Sequence, residues 1–189
     1  GLHTLYVKEV RRFMKVFLQT VAAPAATSLL FLAIFTLALG GAVRQIAGIP
    51  FLEFLAPGLI MMSMVQNSFA NTSSTVIVAK MQGNVIDFVM PPISPVELQL
   101  GLVAGAVTRA LLIGLLLPLL MLPFVDLEVC HLGFLVFHAV TASTLLALAG
   151  LMTGIWAAKF DHVATIQNFV VMPLAFLSGT FYSVHQLPP

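Results

Sequence analysis

The acidic and basic residues of this chain are spaced too widely for a fold that lives in water. Twenty-eight uncharged residues separate Lys15 from Arg44, 26 separate Glu53 from Lys80, and 30 separate Glu128 from Lys159. Between Glu97 and Asp126 the only charge is Arg109, and neither acidic nor basic side chains follow Asp161. A helix that crosses a bilayer needs about 20 mainly apolar residues. The runs therefore predict five spans, at 17–40, 55–78, 99–123, 132–157 and 164–183. They are too long for single strands and lack strict alternation, which argues against a β-barrel. The expected fold is all-α and integral to the membrane. Composition agrees: 8% of the 189 residues are charged and mean hydropathy is +1.07, whereas an ordinary soluble domain is about a quarter charged. A formal net charge of +1 leaves no electrostatic footprint for nucleic acid.

Lys and Arg near span ends set orientation. With the N-terminus cytoplasmic, Lys8, Arg11, Arg12, Lys15, Lys80 and Lys159 fall inside, and only Arg44 outside. Residues 1–16 precede the first span. Lys8, Arg11, Arg12 and Lys15 recur at i, i+3, i+4 and i+7, on one helical face, with Leu5, Tyr6, Val10, Phe13 and Phe17 on the other. The expectation is an amphipathic helix in the cytoplasmic interface, its cations toward anionic headgroups. It serves either as an anchor alone or also as a contact for a partner protein.

The cytoplasmic loop 79–98 carries the most information. Asn84 can cap a short helix with Asp87 at its third position. Val85, Ile86 and Phe88 are apolar outside the membrane, and Pro91 and Pro92 end the segment. Ser94 before Pro95, with Glu97 three residues on, has the pattern of a second N-cap. Exposed apolar residues on such a segment mark a docking site, unless they tuck against the membrane surface.

This loop resembles the coupling-helix region of type-2 ABC exporter permeases, in the residues Lys80, Gly83, Asp87, Pro92, Ser94, Pro95 and Glu97. Gly101 and Arg109 match the start of that family's third span. Phe54 to Leu59 resembles the opening of its second span, Leu177 to Tyr182 the turn after its fifth, and Arg11-Arg12 its interface helix. Ala79-Lys80 and Asn84 depart from the commoner Glu-Arg and Thr, and are closer to the subgroup with nodulation-factor and antibiotic-export permeases. The resemblance implies six spans in the intact family member, hence a further span beyond this C-terminus. It also implies a dimer of two permease copies in a bacterial inner membrane. Each copy would be docked on a cytoplasmic ABC ATPase through Lys80, Gly83, Asn84, Val85, Ile86, Asp87, Phe88 and Pro92. ATP and Mg would sit on that ATPase and no cofactor on this chain. In keeping with this, the sequence lacks the Gly-rich phosphate loop ending in Gly-Lys-Ser/Thr.

Polar residues inside spans are the default functional candidates. Arg109, about ten residues into its span, should face protein or water and pair with a carboxylate, a lipid phosphate or carbonyls. It is either a structural pair or part of a site. Asn67, Asn71 and Ser74 share a face of the second span. They either line a substrate route or hold helices together, and Gly150 and Gly154 read as helix packing. No nucleophile–base set is evident, and His131 and His138 lack a third metal ligand. An intramembrane enzyme is thereby disfavoured. The remaining alternative to an exporter permease is a gradient-driven transporter or channel, but no inverted repeat is visible.

Overall fold

The computed structural model describes residues 1–39, 45–46, 49–86, 90, 93–125 and 131–180. Helix α1 (Leu2–Lys15) leads through a π-helical turn (Leu18–Ala22) into α2 (Ala23–Leu39). Two short strands, β1 (Gln45–Ile46) and β2 (Ile49–Pro50), pair antiparallel with Ile46 opposite Ile49. Three long helices follow: α3 (Phe51–Met81), α4 (Pro95–Met121) and α5 (Leu132–Trp156). The last element, α6 (Phe160–Ser178), is an α-helix interrupted by π-helical turns.

Among the described residues four helices are long and apolar enough to cross a membrane: Leu18–Ala38, Pro95–Met121, Leu132–Trp156 and Phe160–Ser178. Helix α3 is not one of them. With 31 residues it is about 46 Å long, but Gln66, Asn67, Asn71 and the hydroxyls at Ser68, Thr72, Ser73, Ser74 and Thr75 dilute its apolar character. The fold hides those groups. α3 is the central helix, packed on α4 and α5, with Ser68, Asn71, Thr72 and Ser73 almost wholly buried. Large apolar side chains lie outside, among them Leu37, Phe134, Met152 and Phe169. This inverted polarity suits a solvent of lipid tails.

Between apolar helices in lipid, close backbone approach and interhelical hydrogen bonds replace the hydrophobic effect. Ser68 Oγ donates to Ser143 O (2.7 Å), and Thr72 Oγ1 to Ala147 O (2.7 Å). Ser28 and Ser63 join α2 to α3 through their hydroxyls. Gly150 and Gly154 lie against the α3 backbone at Phe69 and Ser73, which bears out their reading as packing residues. Beyond the polar middle of α3, its Phe51, Leu55 and Leu59 join Val21 and Leu32 with Ile113, Leu117 and Met121 in an apolar core.

Two helix ends are fixed locally, the first as its sequence pattern predicts. Ser94 caps α4, its Oγ accepting from Glu97 N (3.2 Å) while Glu97 Oε2 accepts from Ser94 N (3.0 Å). Helix α3 ends at Gly83, whose φ of 71° a side chain would resist. The N–H groups of Gly83 and Asn84 return to Lys80 O (3.2 Å) and Ala79 O (2.9 Å), closing the helix with a Schellman motif.

A methyl group at Gly150 would overlap the Phe69 carbonyl and the Thr72 hydroxyl, whereas one at Gly133 meets nothing within 4 Å. Gly150→Ala should therefore lower stability by about 1–3 kcal/mol, the usual cost of overpacking, and Gly133→Ala should not. Thermal unfolding of both variants in detergent checks this, and equal melting temperatures would contradict the packing described.

Candidate functional site: a buried guanidinium cluster beside a polar cavity

Helix α1 does not rest apart from the spans. It runs along the first half of α4, with Leu5 against Gly101 and Glu9 against Gly105, where a Cβ would lie 2.8 Å from that of Glu9. Tyr6 Oη and Thr108 Oγ1 are 2.9 Å apart. The missing side chains of Gly101 and Gly105 make the groove that accepts α1. Its buried stripe is Leu5, Glu9 and Phe13, at i, i+4 and i+8.

The expectation that all four cations of α1 face headgroups is corrected here. Arg11 and Lys15 are exposed. Arg12 turns inward because Glu9, one turn earlier, is 1% exposed and attracts it, Nη2 to Oε2 at 3.0 Å. Arg12 Nη2 also donates to Asn71 on α3, at 3.2 Å to Oδ1 and 3.3 Å to the carbonyl. Thr75 Oγ1 donates to Glu9 Oε2 at 3.3 Å.

Arg109, 8% exposed, sits about 20 Å along α4 from its cap. Its Nη2 donates to Asn67 Oδ1 (2.7 Å), its Nη1 to Asn71 Oδ1 (3.4 Å), and its Nε to Thr20 O (3.2 Å). Of the partners expected for it, only a carbonyl is found, joined by two neutral amides. Thr20 lies in the π-helical turn, a local irregularity typical of functional sites. Asn71 Oδ1 thus accepts from two guanidinium groups on two helices. Ser74 Oγ donates to Asn71 O (3.0 Å) and stands behind this pair.

Asn67 also faces the other way, into a cavity of about 350 Å³ between α2, α3 and α6. Gln19, Thr27, Ser63, Gln66 and Gln167 give its wall amides and hydroxyls, while Phe31, Met62 and Met172 give it apolar surface. Of the three candidate route residues on α3, therefore, Asn67 lines a cavity. Asn71 is sealed inside the cluster and Ser74 supports it.

The loop residues divide likewise. Lys80 does not project from the bundle. Its Nζ caps the end of α5, donating to Ile155 O and to Ala157 O (3.0 Å). Gly83 and Asn84 complete the α3 terminus, and two residues on the chain is helical again at Ile86, whose carbonyl accepts from Met90 N (2.8 Å). Val85 and Ile86 are exposed. Asp87, Phe88 and Pro92 lie outside the described residues.

Glu9 and Gln19 were not singled out from the sequence, and Gln167 was read only as a residue at the interfacial start of the fifth span. Glu9 had a readable signal, since it interrupts the apolar stripe Leu5–Phe13 three residues before Arg12. Gln19 had none, because its cavity forms only when α2 and α6 meet α3.

A family model described as ABC-2 type transporter matches residues 1–189. The chain belongs to the ABC-2 type transporter family. It is 36% identical to the inner membrane transport permease YadH of Escherichia coli K12 over 189 residues, all of this chain and 74% of that protein. It is 27% identical to nodulation protein J of Rhizobium meliloti over 176 residues, 92% of this chain and 67% of that protein. No solved structure gives a significant match. The family and the apolar helices together make this an integral membrane protein of a transporter, not an enzyme.

Burial pushes the Glu9 carboxyl above its usual range, against the pull of Arg12, Thr75 and Lys8; burial also lowers the Arg12 guanidinium, against the pull of Glu9. The folded chain therefore holds the Glu9 proton more tightly than the unfolded chain does. Stability from this group is fully present below the ordinary carboxylate pKa and is lost as pH rises through the raised one. Between about pH 4 and 7, wild-type protein should lose more thermal stability than Glu9→Gln, which cannot ionise there. Parallel pH profiles in detergent would refute the burial of a titrating Glu9.

Proposed function

We propose that this chain is the membrane-spanning permease of an ATP-driven exporter, contributing the substrate path and receiving its motion from a separate ATPase subunit. The observation that carries this reading lies beyond the Gly83 turn. Val85 and Ile86 are 41% and 61% exposed, and Met81 and Met90 are also bare. Apolar residues that project past the end of a bundle favour a protein partner. They follow a helix end held rigidly by the Schellman motif, and that helix is the centre of the bundle. The membership of the whole chain in an ABC transporter family supports an ATPase as the partner. ATP and Mg belong to that subunit, since this sequence has no phosphate loop, and this chain needs no cofactor of its own.

In this reading α2, α3, α4, α5 and α6 are five spans, with α3 tolerated by lipid because its neighbours shield its polar face. The segment 79–98 is the cytoplasmic coupling loop and 1–16 the interface helix. The N-terminus is cytoplasmic, given the cations of α1 with Lys80 and Lys159 at one end of the bundle. The inner membrane is the expected location, as it is for the E. coli inner membrane transport permease YadH by that protein's name. A second copy completes the path, the cavity between α2, α3 and α6 being half of it, and lipid covers the remaining apolar surface. Export as the direction follows from the resemblance to exporter permeases alone.

The test is co-purification. Val85→Glu with Ile86→Glu should reduce recovery of a co-expressed ABC ATPase subunit at least about tenfold, the effect of two charges in an apolar contact. Membrane insertion and melting temperature should be unchanged. Full recovery of the ATPase with the double variant would defeat the docking assignment. Transport that persists with the ATPase removed would favour a gradient-driven carrier instead.

A further inference from the structure

The cluster beside the C-terminal half of α1 holds two guanidinium groups and one carboxylate. Arg12 has Glu9 at 3.0 Å. Arg109 meets neutral oxygens, at Thr20, Asn67 and Asn71, and among the described residues no carboxylate lies within ion-pair distance of it. The cluster also has more donors than acceptors. Asn71 Nδ2 is buried with no hydrogen-bond partner. Its amide cannot turn to correct this, because Oδ1 already accepts from both arginines and the reverse orientation would set NH2 against them. At the adjoining cavity wall Gln66 Nε2 is a second buried donor with no partner.

A buried cation without a counter-charge is costly, and more so in a membrane. Lysine or histidine relieves that cost by losing a proton, but a guanidinium does not. Among the described residues nothing supplies the compensating charge, which leaves a place for one from outside the chain. We propose that the cluster binds an anionic phosphate group, which enters by the cavity, takes the place of Asn67 Oδ1 on Arg109 and supplies the missing acceptors. Phosphate suits the site for three reasons. A guanidinium fork takes two of its oxygens side by side. Its tetrahedral oxygens serve donors from several directions, here Arg109 behind Asn67 and Gln66 Nε2 at the cavity wall. And the cavity offers Phe31, Met62 and Met172 to the apolar part of an amphiphile. The ligand is thus a phospholipid headgroup or another phosphorylated molecule of the same charge. The location rests on the reading of this cavity as the substrate path, but the binding itself needs neither an ATPase nor transport. Its failure is therefore distinct from failure of the exporter assignment.

Native mass spectrometry of the delipidated permease, titrated with phosphatidylglycerol or with phosphatidylcholine of the same chains, tests the proposal. Wild-type protein should bind phosphatidylglycerol about tenfold more tightly, the consequence of one compensated charge. Arg109→Gln should abolish the preference. So should Asn71→Asp, which places a carboxylate between the two guanidinium groups. That variant should also melt higher than wild type, which shows that it folds and that charge was what the cluster lacked. Lys159→Gln, an exposed cation at the same end of the bundle, should keep the preference. Displacement of phosphatidylglycerol by millimolar inorganic phosphate would assign the site to the free ion, and resistance would assign it to the lipid headgroup. Equal binding of the two lipids by wild type overturns the proposal, as does a preference that survives Asn71→Asp.

Discussion

One amide oxygen, Asn71 Oδ1, accepts from Arg12 on α1 and from Arg109 on α4. Three helices therefore meet at a single buried acceptor, and the arrangement around it follows from that need. Guanidinium groups at this depth must be hydrogen-bonded. α1 is consequently drawn against α4, and the glycines at 101 and 105 let it approach. The π-helical turn between α1 and α2 presents Thr20 O for the third bond. Polar residues collect on α3 because its neighbours bury one face of that helix.

The same helix has a second, mechanical role. On its α5 side, hydroxyl-to-carbonyl bonds from Ser68 and Thr72 and the close contact at Gly150 make a stiff pair. At its end Lys80 caps α5, and three residues later Gly83 turns the chain out toward Val85 and Ile86. A displacement of this exposed tip is therefore not absorbed in a slack loop. It acts directly on α3 and α5, and through Asn71 on α1 and α4. Tightly packed helices transmit such shifts because they re-pack in discrete steps and do not deform smoothly.

What the sequence made legible is local or one-dimensional. The spacing of charges located the apolar helices, and the Ser94–Glu97 capping box needed only four residues to be recognised. Gly150 and Gly154 were readable because small residues four apart have one common use in lipid. Arg109 stood out as a charge in an apolar run, but its partners did not. They come from α3 and from the turn before α2, 38 to 89 residues away in the chain, and no periodicity records such a meeting. Arg12 was placed with its neighbours on the outer face since helical spacing alone puts it there. The inward pull of Glu9 is a tertiary effect. Lys80 was read as a partner contact for the same reason, its carbonyl acceptors lying 75 and 77 residues ahead.

Asn67 is the point at which the two halves of the site touch. Its oxygen holds Arg109, and its other side lines the cavity. Any group in the cavity that competes for Asn67, or for the guanidinium behind it, alters the bonds that fix α4 to α3 and, through Asn71, to α1. Linkage makes that relation reciprocal: whatever moves α1 changes the affinity of the cavity by the same factor. The charged cluster costs stability that an apolar contact between α1 and α4 would not. A chain that only needed α1 anchored had Leu5, Phe13 and the two glycines for the purpose. Keeping two arginines there makes the attachment of α1 sensitive to what occupies the membrane interior, which packing alone does not do.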